Sequence, residues 1–182
     1  RVAHPDGATL PSISADGSRV AYQVGNGAWA AIEVYDRALD TVLEMGADVA
    51  GAYRPAISPD GTVIAASRNR LVSGVFLADL ILIDVDSGQV VEQFPVRALS
   101  GFGEARDWQS LSQDGSKVAF TGQAGVVFDQ PGFSATTSVF VLNVLSGEIT
   151  MLTPESADGD SRQATISPDG KYVAFTSAAS NL

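Results

Sequence analysis

The chain has 182 residues, 45% of them hydrophobic and 18% charged, the proportions of one folded domain with a sizeable core rather than of a disordered segment. Its 21 acidic and 11 basic side chains give a net charge of −10, which argues against a nucleic-acid or anionic-membrane partner, because both require clustered Lys and Arg. The sequence contains no cysteine, so disulfides, thiolate metal sites and cysteine catalysis are excluded.

In chain order, Arg1-Val2 reads as the end of a strand from a preceding unit, and no signal peptide is visible. His4, the one histidine, stands beside Pro5-Asp6-Gly7 in what reads as a loop. A zinc site needs three or four ligands, which one histidine without cysteine does not supply. Then comes a phrase that the chain uses four times: an apolar residue, Ser-x-Asp-Gly, two variable residues, and Val or Ile followed by Ala. The copies begin at Ile13-Ser14-Ala15-Asp16-Gly17, Ile57-Ser58-Pro59-Asp60-Gly61, Leu111-Ser112-Gln113-Asp114-Gly115 and Ile166-Ser167-Pro168-Asp169-Gly170, and their aspartates lie 44, 54 and 55 residues apart. Self-similarity at this period marks stacked supersecondary units.

Each copy predicts a β-hairpin. Pro presets φ at the second turn position, Asp suits the third, and Gly accepts the positive φ at the exit. A type I turn followed by a left-handed Gly makes a hairpin with a bulge. A second shared phrase supplies a third strand: Ile32 to Asp40, Leu80 to Gly88 and Val139 to Gly147. Short fourth strands follow at Thr41 to Met45, Gln89 to Phe94 and Glu148 to Thr153. No segment has a convincing helical period. Residues 71–82 include the β-branched Val72, Val75 and Ile81 and match the other repeats as strand. Gly122 to Ser138 reads as a long loop in the third repeat. Four antiparallel strands per repeat, joined by tight turns, describe a propeller blade.

The Ser-Pro-Asp-Gly hairpin followed by Val-Ala-Phe resembles the PD40 repeat, a WD40-like unit of the TolB-type β-propellers. The fourth copy, Gln163 to Ser177, is close to that consensus, and the likeness covers nearly the whole chain. The expected architecture is all-β: three full four-stranded blades and a half blade, over residues 3–46, 47–96, 97–154 and 155–182. This count is short of the six to eight blades that the resemblance implies, so a piece of a larger ring is expected. Further blades would come from the same chain or from another copy.

Catalytic signals are weak. Gly-x-Ser-x-Gly is absent. The four repeated aspartates read as turn caps spread around a ring rather than as converging carboxylates. Asp84-Val85-Asp86 and Asp158-Gly159-Asp160 have too few regularly spaced oxygen ligands for a calcium loop. Gly101-Phe102-Gly103 lacks the third glycine of a dinucleotide loop. No cofactor and no metal are expected.

Binding candidates come from position. Residues just before the repeated hairpins should form a rim around the central channel. These are Arg54, Arg106 with Trp108, and Arg162, read as equivalent places, with Arg68 and Arg70 as a second basic spot on a loop of the same rim. The resemblance implies a non-catalytic bacterial scaffold, periplasmic or secreted, that presents this rim to a protein or peptide. The alternatives are the propeller portion of a peptidase or polysaccharide lyase, and a structural or adhesive module of a surface protein.

Overall fold

A computed structural model describes residues 7–25, 30–73, 75–99, 110–128 and 136–182. The first sheet is an antiparallel meander of β1 (Ala8–Ile13), β2 (Arg19–Val24), β3 (Ala31–Asp36) and β4 (Thr41–Leu43). A 3-10 turn, Ala47–Val49, leads to the second, built from β5 (Ala52–Ile57), β6 (Val63–Val72), β7 (Val75–Asp84) and β8 (Val90–Leu99). The third comprises β9 (Ser110–Leu111), β10 (Lys117–Gln123), β11 (Thr137–Asn143) and β12 (Ile149–Met151), and β13 (Ser161–Ile166) with β14 (Val173–Ser177) forms a two-stranded sheet. The expected all-β blades of four strands are present, in sequence order within each sheet.

Two expectations are corrected. The segment 122–138 is not simply a loop. β10 runs on to Gln123, a helical turn α1 (Ala124–Val127) follows, and β11 starts at Thr137. Ala124 and Val127 are buried in the cluster that holds Phe120 and Phe140, and this packing imposes the turn where sequence period gives no sign of it. The fourth strand of the second blade also continues past Phe94 to Leu99. Pro95 does not end it, because an edge strand has one side free of ladder bonds, and the pairing with β7 shifts register between Ala78 and Leu80. β6, β7 and β8 thus reach ten residues each.

The repeated phrase folds as its chemistry dictates. In each copy the Gly N–H donates to the Ser carbonyl, at 3.0, 2.9, 3.0 and 2.8 Å, and Gly17, Gly61, Gly115 and Gly170 have φ of 67°, 79°, 68° and 65°. The carboxylate is used inside the turn. Asp16 Oδ1 accepts from the Ser18 N–H (2.9 Å), the Ser18 hydroxyl (2.8 Å) and the Ser14 hydroxyl (2.8 Å). Ser14 Oγ in turn accepts the Arg19 N–H at 3.0 Å. Asp60, Asp114 and Asp169 are held in the same way by Ser58, Ser112 and Ser167.

The core lies between blades rather than within them. The apolar residue that opens the second, third and fourth phrases packs into the preceding sheet. Ile57 clusters with Ala21, Ile32 and Val34, Leu111 with Ala65, Leu80 and Leu82, and Ile166 with Ala119 and Val139. The residue two places after the Gly of each of the first three phrases lies over the next blade's turn. A Cβ built on Gly61 would stand 3.3 Å from Arg19 Cδ, one on Gly115 3.2 Å from Val63 Cβ, and one on Gly170 3.1 Å from Lys117 Cδ.

Two junctions carry matching polar bonds. Between the first and second blades, Ile57 N–H donates to Ser12 Oγ (3.0 Å), Ala15 N–H to the Pro59 carbonyl (2.8 Å) and Arg19 Nη1 to the Gly61 carbonyl (2.9 Å). Between the third and fourth, Ile166 N–H donates to Ser110 Oγ (3.1 Å), Gln113 N–H to the Pro168 carbonyl (2.8 Å) and Lys117 Nζ to the Gly170 carbonyl (2.9 Å). The middle junction has Ala56, Pro59 and Val63 at these three positions, which offer no hydroxyl, no N–H and no cation.

The turn bonds hold the carboxyls of Asp16 and Asp114 well below the ordinary value of 3.8, each at about 2. The Ser18 N–H is the largest cause for Asp16 and the Ser116 hydroxyl for Asp114. A group with a depressed folded-state pKa contributes stability above its unfolded value, and loses it as pH falls through the folded one. Urea denaturation at a series of pH values should therefore show stability declining between pH about 4 and about 2. The Asp16→Asn, Asp114→Asn double variant should lose part of that slope, and an unchanged slope would refute the assignment.

Candidate functional site

The start of the first strand is the most distorted backbone in three blades. Pairing shifts register between Thr9 and Ser12, between Tyr53 and Ala56, and between Arg162 and Thr165. Inside each bulge one non-glycine residue is left-handed: Leu10 (φ 50°), Arg54 (φ 56°) and Gln163 (φ 57°). Each lies three residues before the apolar residue of its phrase. Pro11 and Pro55, which have no N–H to place in a ladder, mark two of these bulges in the sequence.

This geometry revises the expected equivalences. Arg54 occupies the bulge, but its counterpart in the fourth copy is Gln163. Arg162 precedes the bulge and matches Tyr53, each being the last residue paired before the shift. Trp108 and Arg106 lie outside the described residues, as does His4. By sequence spacing alone, Trp108 stands at the same place before Leu111 as Arg54 before Ile57.

Around Arg54 the first two blades converge. Its N–H, turned away from the β5–β6 ladder, donates to Gln23 Oε1 at 3.0 Å. Gln23 is buried and donates through Nε2 to the Gly25 carbonyl at 3.0 Å. The Arg54 guanidinium carbon stands 5.8 Å from the centre of the Tyr53 ring, within cation–π range. The Tyr53 hydroxyl donates to Asn69 Oδ1 at 2.8 Å. An arginine, a tyrosine and an amide pair are thus held together by strand register and a bulge rather than by a mobile loop.

Arg68 and Arg70 are not on a loop, as the sequence suggested. Both lie within β6, paired with Asp79 and Leu77 of β7, because the hairpin extends well past the length of the neighbouring blades. Arg68 Nη1 donates to the Asp48 carbonyl at 2.5 Å and Nη2 to Gln93 Oε1. Gln93 Nε2 donates to Asp79 Oδ2 at 2.8 Å, and Asp79 is buried. Asp48 Oδ2 accepts the Val90 N–H at 2.8 Å. Arg68 therefore fastens the 47–49 turn to the outer strand of its blade. Sequence spacing pointed to Arg68 as a cation but gave no sign of this clasp, whose partners lie 20 and 25 residues away.

Arg162 is paired with Asp160 at 2.7 Å, and Asp160 Oδ1 accepts the Thr137 N–H at 2.7 Å. Asp158 accepts the Ser180 N–H (2.7 Å) and hydroxyl (2.6 Å), which closes the 178–182 segment over this linker. Asp86 accepts Arg19 Nη2 at 2.5 Å, and Asp84 accepts the Ser87 N–H at 2.8 Å. The carboxylates weighed as calcium ligands are thus engaged in turns and ion pairs. Among the described residues no group of three or more His, Cys, Asp or Glu is arranged to hold a metal. No helix among them is long and apolar enough to cross a membrane.

No family model matches the sequence, and no curated protein matches it. Many solved structures do. TolB from Acinetobacter baumannii superposes with a TM-score of 0.69 at 18% identity, over 100% of this chain and 40% of that one. Hydrazine synthase of Kuenenia stuttgartiensis gives 0.60 at 22%, over 91% and 48%. Pyrococcus horikoshii acylaminoacyl peptidase gives 0.62 at 16%, over 92% and 27%. The chain spans less than half the length of each of these proteins. At such identities the likeness shows the fold, which is a TolB-like β-propeller.

A left-handed backbone costs a non-glycine residue about 1–2 kcal/mol, and glycine is spared most of it. Arg54→Gly should therefore leave stability in urea unchanged or raise it by about 1 kcal/mol, whereas Arg54→Val should lower it. A clear loss of stability in Arg54→Gly would show that the Arg54 side chain serves the fold.

Proposed function

We propose that this chain is a non-catalytic binding scaffold of bacterial PD40-type blades, periplasmic or secreted, that takes a protein or peptide at the rim formed by the starts of the inner strands. The observation that carries this reading is Arg54. A long cationic side chain occupies a left-handed position that glycine would fill at lower cost, beside Tyr53 and Asn69 and braced by Gln23 of the neighbouring blade. The left-handed bulge recurs at Leu10 and Gln163 and so belongs to the repeat; what is particular to Arg54 is a cation held there beside Tyr53 and Asn69. Arginine and tyrosine are also among the side chains that dominate protein interfaces. Trp108 and Arg162, from the next two repeats, extend the rim in this proposal. Arg68 supports it from below by fixing the 47–49 turn.

A second reading, the propeller portion of a peptidase, is favoured by the likeness to the acylaminoacyl peptidase. There the same rim would face a hydrolase domain.

A peptide library displayed on phage and selected on the 182-residue chain provides ligands for the test. Selected peptides should bind Arg54→Gly, Trp108→Ala and Arg162→Ala at least about tenfold more weakly than the unsubstituted chain, or about 1.4 kcal/mol. Unchanged affinity in all three would retire the rim.

A further inference from the structure

The inner edge of the second sheet runs past its own partner. β6 pairs with β7 without a register shift from Val63 opposite Asp84 to Val72 opposite Val75, whereas β5 reaches no farther along it than Ala52 opposite Arg68. The direction of the backbone groups in this last stretch follows from the other end of the strand. Val63 N–H donates to Ser58 Oγ (3.0 Å) and the Val63 carbonyl accepts the Ser58 N–H (2.8 Å), so Val63 turns both groups toward the β5 side. Thr62, one residue earlier, turns its carbonyl the other way, to the Val85 N–H at 2.9 Å. In an antiparallel ladder this direction alternates with each residue. Asn69 and Leu71 therefore aim their N–H groups and carbonyls at the inner edge.

No described backbone group meets them there. Gly51, the residue that would face Asn69, has φ of 77° and donates its N–H to the Ala30 carbonyl at 3.1 Å. Val49, which would face Leu71, donates to the Gly46 carbonyl at 3.0 Å, and its side chain is buried between the first and second sheets. The Arg68 clasp on the Asp48 carbonyl holds the 47–49 turn in that place, off the line of β5. Asn69 is exposed and Leu71 is 61% exposed. The second sheet has a four-stranded neighbour on each side, so this edge is not left open by a missing blade. The outer edge, β8, carries Pro95, which blunts a strand edge, whereas residues 69–72 include no proline.

We propose that the rim takes its peptide by strand addition: an extended segment enters the line that β5 leaves at Ala52 and pairs with Asn69 and Leu71. This rests on the rim reading and specifies its ligand class. In this mode main-chain bonds supply the affinity and alternate side chains the selectivity. The residue opposite Leu71 should be apolar, because cross-strand neighbours on one face touch. The end of the segment nearest Ala52 lies beside Tyr53 and Arg54, where an acidic side chain meets the Arg54 cation.

The test uses peptides selected on the full 182-residue chain that carry Asp or Glu and bind Arg54→Gly more weakly. Methylating one backbone nitrogen of such a peptide at a time should weaken binding at least about tenfold at alternate positions and little between them. On the protein, amide exchange followed by NMR should slow at least about tenfold at Asn69 and Leu71 when the peptide binds. Exchange should stay unchanged at Arg70 and Val72, whose N–H groups face β7. Leu71→Pro, which removes an edge N–H at an exposed position, should lose the peptide while keeping its circular dichroism. Arg54-dependent binding without the alternation, with Asn69 and Leu71 exchanging as before, or binding retained by Leu71→Pro, would overturn strand addition and leave the rim standing. If no selected peptide depends on Arg54, this proposal falls; if none depends on Trp108 or Arg162 either, the rim reading falls with it.

Discussion

One interaction organises this chain: the first strand of the second, third and fourth blades places an aliphatic side chain into the sheet of the blade before it. Ile57, Leu111 and Ile166 are buried in sheets that are not their own. Full burial of such a side chain is worth roughly 1.5–3 kcal/mol, but its position depends on the turn that follows. The Ser-Asp pair closes that turn through the serine hydroxyl and the carboxylate. The turn in turn exposes the glycine over which the preceding blade's Arg19, Val63 or Lys117 lies. Turn chemistry, strand register and inter-blade packing are therefore one device repeated around the array. A blade of this kind is stable through its neighbours, as expected of repeat architectures.

The parts of this device that are local were legible in the residues. Gly17, Gly61, Gly115 and Gly170 advertise a positive φ, and the aspartates advertise a backbone cap, because both properties belong to the residue and its immediate neighbours. The propeller followed from counting these turns. What was not legible depends on partners distant in sequence. Arg68 looked like a loop cation until β6 and β7 proved ten residues long and brought Asp48 and Gln93 to it. The left-handed Arg54 and Gln163 gave no glycine signal, although Pro11 and Pro55 could have marked the bulge. The helical turn at Ala124–Val127 exists because two small apolar residues fill space beside Phe140, which no periodicity in four residues can announce.

The proposed rim lies at the ends of the strands away from the Ser-x-Asp-Gly turns. On the side of the Ser-x-Asp-Gly turns, polar groups are consumed by the fold, from Asp16 with its serines to Arg19 with Asp36, Asp86 and the Gly61 carbonyl. At the opposite ends of the strands the second sheet lengthens and the first strands of three blades bulge, while the bond from Arg54 N–H to Gln23 ties neighbouring blades together there. A scaffold of this kind can vary its rim without disturbing the turns that hold it, which is how one fold serves unrelated functions.

The central claim, that stability resides between blades, is tested most directly by amide hydrogen exchange on Ile57→Ala. Ile57 belongs to β5 yet is packed among residues of the first sheet. The account predicts that truncating it weakens protection in β2 and β3 of the first blade as well as in β5 and β6 of its own. Loss of protection confined to the second blade, with β2 and β3 exchanging as before, would contradict it.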